Sequence, residues 1–147
     1  MIPHGYPGKL KVICTARIHP TESEARVESA VRQILPRQNK HYLKDGLLSS
    51  ESADPDALEQ IYGGIRERMT VAAARKLLIR NAQSTQTFLL LNRQAAYVGT
   101  VALCDSPDES PLGPLELRIE SDDIKKLVDW LAPETPRKPT RGRALRT

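Results

Sequence analysis

Apolar and polar positions alternate most cleanly near the start of the chain. Leu10, Val12, Cys14, Ala16 and Ile18 interleave with Lys9, Lys11, Ile13, Thr15 and Arg17, the period of two that marks a strand with one buried face. His19-Pro20 ends it, and Thr21 with Glu24 has the spacing of a capping box. Val27, Ala30, Val31, Ile34 and Leu35 then recur at helical spacing until Pro36. Residues 40–50 read as a second, irregular strand in which Gly46 marks a bulge or bend. Asp54-Pro55 is a helix start, with Leu58, Ile61, Tyr62, Ile65 and Met69 on one face. Gly63 and Gly64 weaken that helix by roughly 1 kcal/mol each relative to alanine. Val71–Arg80 gives a further helix, rich in Ala and Leu.

The second half reads as a meander closed by a helix. The apolar run Phe88–Leu91 within Thr85–Asn92 predicts a strand covered on both faces. A turn at Arg93–Ala96 leads to a further strand, Tyr97–Cys104, with Gly99 inside it. A loop rich in Pro, Ser and acidic residues (105–113) precedes Leu115, Leu117 and Ile119, which alternate with Glu116, Arg118 and Glu120. Ser121 is placed to cap a last helix carrying Ile124, Leu127, Val128 and Leu131 inward. The order is β-α-β-α-α-β-β-β-α. It predicts an α+β fold in which one antiparallel or mixed sheet is covered on one face by helices. The expected layout is a flexible stretch at 1–8, one domain at 9–133 and a basic, disordered tail at 134–147.

Composition adds constraints. Of 147 residues only Phe88, Trp130 and four tyrosines are aromatic, so the core is aliphatic and a surface of stacking aromatics is not expected. No apolar run approaches the roughly 20 residues of a membrane helix, and no signal-peptide pattern opens the chain. The expectation is a cytoplasmic protein without membrane contact. Cys14 and Cys104 fall on strands and read as buried, reduced thiols. Charge is uneven. The net charge is +4, yet residues 1–132 hold 17 of the 22 basic and 17 of the 18 acidic residues. The surplus sits on Arg137, Lys138, Arg141, Arg143 and Arg146, guanidinium-rich and suited to a phosphate backbone.

Three motifs then carry a resemblance: Ala16–Glu22 (ARIHPTE), Leu91–Gly99 (LNRQAAYVG) and Ser110–Pro114 (SPLGP), with Asp129–Pro133 (DWLAP) after them. Across residues 10–133 the chain resembles an archaeal uncharacterised protein family, number 0201, a set of predicted RNA-binding proteins. The resemblance implies a fold similar to the 5S-RNA-binding ribosomal protein or the double-stranded-RNA-binding domain. Some relatives are fused to a P-loop nucleotide-kinase-like domain, which implies such a protein as an alternative partner. The family has no established catalytic residues.

Candidate contacts to RNA follow. Asn92, Arg93 and Gln94 offer donors at a strand end. Lys9, Lys11, Arg17 and Arg118 would line the open sheet face, and the five tail cations add electrostatic affinity. The histidines His4, His19 and His41 lie in no metal-ligand spacing, and no phosphate-loop, dinucleotide or nucleophile-elbow motif is present. The reading is a non-enzymatic RNA-binding accessory protein without metal or cofactor. Pairing of the 10–18 strand across a two-fold would give a homodimer.

Overall fold

The computed structural model of the chain describes residues 5–36 and 40–134; the five tail cations lie outside them. The first strand, β1 (Lys11–Arg17), forms as its alternation requires, with Val12, Cys14 and Ala16 buried. Helix α1 (Glu24–Ile34) is capped by Ser23, whose hydroxyl accepts from the Arg26 N–H, in place of the expected Thr21. Residues 40–50 give two strands where one was expected. β2 (Lys40–Lys44) and β3 (Leu47–Ser52) pair as a hairpin around Asp45-Gly46, both at positive φ (54° and 76°). That dipeptide is the favoured turn for a two-residue hairpin loop, because its backbone twist matches that of the strands.

The next helix starts later than Asp54-Pro55 suggests. Residues 55–58 are turns held by the Asp54 carboxylate and carbonyl, and α2 spans Glu59–Glu67. Met69 does not face the core. It is 90% exposed at φ 57°, in the joint before α3 (Val71–Arg80). Strand β4 (Gln86–Leu91) buries Thr87, Leu89 and Leu91 but only half-buries Phe88 and Leu90, so its apolar run is covered on one face and not on both.

The strand expected at Tyr97–Cys104 is replaced. Arg93–Tyr97 is a short helix, α4, because Asn92 caps it by accepting from the Ala95 N–H at 2.9 Å. Gly99 at φ 76° closes it, leaving only Leu103–Cys104 as β5. Strand β6 (Leu115–Glu120) and helix α5 (Ile124–Leu131) follow as expected. Asp123, not Ser121, caps α5; the Ser121 hydroxyl donates to the Lys9 carbonyl instead.

The six strands pair antiparallel in the order β2-β3-β1-β6-β4-β5, so β1 is flanked by β3 and β6 and is not the free edge that the expected pairing of 10–18 across a two-fold requires. One face carries Val12, Cys14, Leu48, Leu89, Leu117 and Ile119 against the buried residues of the helices. On the other face the positions of β1, β2, β3, β4 and β6 are half-buried or exposed, while Cys104, in the Leu90 row at the β5 edge, is buried. The flexible start expected at 1–8 does not extend to Tyr6. That residue is 2% exposed and its ring packs edge-on to Trp130 at 5.4 Å. Cys14 and Cys104 are buried free thiols, and burial pushes Cys14 up to about 12.

Candidate nucleic-acid interface

Strand register decides which side chains share the open face. Residues opposite one another on neighbouring strands point the same way. Ile13 pairs with Glu51 and Arg118, Thr15 with Ser49 and Glu116, and Arg17 with Leu47. The hairpin extends these rows, setting Lys40 beside Glu51, Tyr42 beside Ser49 and Lys44 beside Leu47. Successive strands lie about 4.8 Å apart, so Arg17 and Lys44 are separated by roughly 10 Å of backbone.

Charge is divided across this face. On the β2-β3-β1 half, the strand positions carry Lys11, Arg17, Lys40 and Lys44 against Glu51, with Asp45 in the turn beyond. On the β6-β4 half, Arg118 stands between Glu116 and Glu120. Arg118 is also tied down, donating to Glu116 at 2.7 Å and to Gln86 at 3.4 Å. Lys11 reaches Glu51 at 3.4 Å, while the Arg17 guanidinium makes only a long bond, 3.5 Å, to the Asp45 carbonyl. The Glu51 carboxyl is held below the usual glutamate range, first by the hydroxyl of Tyr42 and then by Lys11. That hydrogen bond in turn raises Tyr42 above the usual tyrosine value. Tyr42 is 46% exposed. An aromatic on this face, with Phe88 half-buried further across it, runs against the composition-based expectation.

The motif residues have a different place. Arg93 is 1% exposed, so it does not offer its guanidinium to a partner as expected. Its Nη1 donates to both Glu22 oxygens, at 2.9 and 3.0 Å, and to the Arg17 carbonyl at 2.7 Å; its Nε donates to the Gly113 carbonyl at 3.0 Å. The backbone N–H of Arg93 donates to the Ser110 hydroxyl, which donates to the Gly113 carbonyl. Glu22, 6% exposed at its side chain, also accepts from the His19 N–H at 2.9 Å. Three motifs distant in sequence therefore meet at one buried ion pair. Asn92 is occupied as a cap, and only Gln94 of that triplet is exposed.

Lys9 precedes β1, is exposed and stands at the acidic end beside Glu120. The sequence reading missed Lys40, Tyr42 and Lys44, whose signal was the Asp-Gly turn. It gave Glu22, 71 residues from its partner, no site role, although the ARIHPTE motif contains it. Among the described residues no group of His, Cys, Asp or Glu side chains could hold a metal ion, and no helix is long and apolar enough to cross a membrane.

Comparison with known proteins bears on this arrangement. A family model described as RNA binding matches residues 11–121, from β1 to the end of β6. A UPF0201 protein of Sulfurisphaera tokodaii is 36% identical over 128 residues, covering 85% of this chain and 88% of the relative. One from Metallosphaera sedula is 35% identical over 138 residues, covering 92% and 93%. The crystal structure of a UPF0201 protein from Methanococcus jannaschii matches with a TM-score of 0.74 at 28% identity, over 86% of this chain and 95% of that one.

Proposed function

The chain belongs to the UPF0201 family of archaeal proteins, and from that membership we propose that it is a cytoplasmic, non-catalytic RNA-binding accessory protein. Its contact surface is the basic half of the open sheet face. The observation that carries this reading is the convergence of Lys11, Arg17, Lys40 and Lys44 on one face against the single strand-borne carboxylate of Glu51. Each cation that neutralises a phosphate releases a condensed counterion, which makes binding favourable and salt-dependent. The family model, which ends at residue 121, supports placing the function in the body. The tail cations Arg137, Lys138, Arg141, Arg143 and Arg146 add affinity without selectivity.

Titration of the full-length protein against structured RNA at two salt concentrations tests this. Binding is expected at low salt and weakens as salt rises. Replacing both lysines (Lys40→Gln with Lys44→Gln) is expected to flatten the log–log salt slope by roughly 0.7–0.9 per lysine. No binding at low salt, or an unchanged slope in the double variant, would overturn the proposal.

A further inference from the structure

Tyr42 is an aromatic residue 46% exposed on the open sheet face. It sits on the edge strand β2, directly opposite Ser49, and its hydroxyl donates to Glu51, two residues further along β3. The ring therefore leans along the sheet over a small neighbour instead of standing out into water. Ser49 pairs in turn with Thr15, so the row beside the ring is low. Lys40 and Lys44 share its strand and face, each about 7 Å along the backbone. The result is an aromatic platform, 46% exposed, bracketed by cations and held by one hydrogen bond.

We propose that this platform selects single-stranded RNA, with Tyr42 stacking one base while Lys40, Lys44 and Arg17 take the flanking phosphates. This rests on the RNA-binding reading above and adds the class of RNA. In a duplex each base face is covered by its neighbours, and A-form helices are recognised through groove shape, 2′-hydroxyls and phosphates. A ring in a flat cationic face finds nothing to stack on there. An unpaired base offers a π-face of any sequence, so the platform recognises single strands without strong sequence preference.

The full-length protein is titrated by fluorescence anisotropy against a short mixed-sequence single-stranded RNA and against the duplex of the same length. Three variants are compared with the wild type: Tyr42→Ile, Tyr42→Phe, and Lys40→Gln with Lys44→Gln. Isoleucine keeps a strand-forming side chain but removes the ring; phenylalanine keeps the ring but removes the bond to Glu51. Tyr42→Ile should weaken single-strand binding roughly five- to a hundredfold and leave duplex binding unchanged. Tyr42→Phe should stay within a fewfold of wild type. If Tyr42→Ile binds single strands like the wild type while the lysine variant is weakened, stacking is refuted and the phosphate surface stands. A wild type that prefers the duplex refutes it as well. If the lysine variant also binds like the wild type, the phosphate surface fails with it.

Discussion

A guanidinium removed from water needs both its charge and its N–H groups matched inside the protein, since an unpaired buried charge is strongly destabilising. Arg93 meets that requirement through Glu22 and the carbonyls of Arg17 and Gly113. Because Arg17 belongs to β1 and Gly113 leads into β6, one side chain ties two strand ends to α4. Removing either partner alone leaves the other charge buried, so Glu22→Gln and Arg93→Met should each lose roughly 3–5 kcal/mol in urea denaturation. The double variant should lose clearly less than their sum. Single variants within experimental error of wild type would show that the pair does not hold this junction. Arg93→Lys should not substitute, since an ammonium cannot reproduce the fork that reaches Glu22 and Gly113 together. At this scale the sequence was only half readable. The motif around Arg93 stood out, yet its burial depends on a carboxylate contributed by a distant segment, which no local pattern reveals.

Elements were legible where one face alone set the pattern, as in β1, β6 and α5. They were misread where a local device overrode it. Asp45-Gly46 turned one expected strand into two, and the Asn92 cap turned an expected strand into α4. Gly64 shows the same tension inside α2. Propensity alone makes it a weakness worth about 1 kcal/mol. Its position explains it differently, because a Cβ there would run into Cγ2 and Cβ of Val101, in the segment between α4 and β5. Gly64→Ala should therefore destabilise by about 1–3 kcal/mol through overpacking, despite alanine's better helix propensity. In a Val101→Ala background, where the Cγ2 contact is gone but the Val101 Cβ still lies 2.7 Å from the added Cβ, the loss should shrink without vanishing. An equal loss in both backgrounds, read from denaturant midpoints, would remove the contact as the reason for the glycine.

At the scale of the whole molecule, the sequence showed that charge is concentrated in the tail but not how the neutral body divides its own. The body's balance of 17 basic and 17 acidic residues in 1–132 conceals a sheet face that is basic on one half and acidic on the other. Only strand order reveals this, because β2 and β1 share a face through β3, far from β6 in sequence. Body and tail should then act differently on RNA. Among the described residues, Arg66 and Arg75 donate to the carbonyls of Leu131 and Ala132 and close the C-terminus of α5. A chain ending at Glu134 should therefore melt at the same temperature as the full-length protein. It should lose affinity and a share of the salt slope, up to about 0.7 for each of the five tail cations engaged on a single strand. Its ratio of single-strand to duplex affinity should remain, because that ratio is set by Tyr42 and the tail cations meet any phosphate. Loss of that preference on truncation would transfer discrimination from the sheet to the tail. Loss of stability would show that the core extends past Glu134. A shallower salt slope with both stability and preference intact is the outcome that a discriminating body and a purely electrostatic tail require.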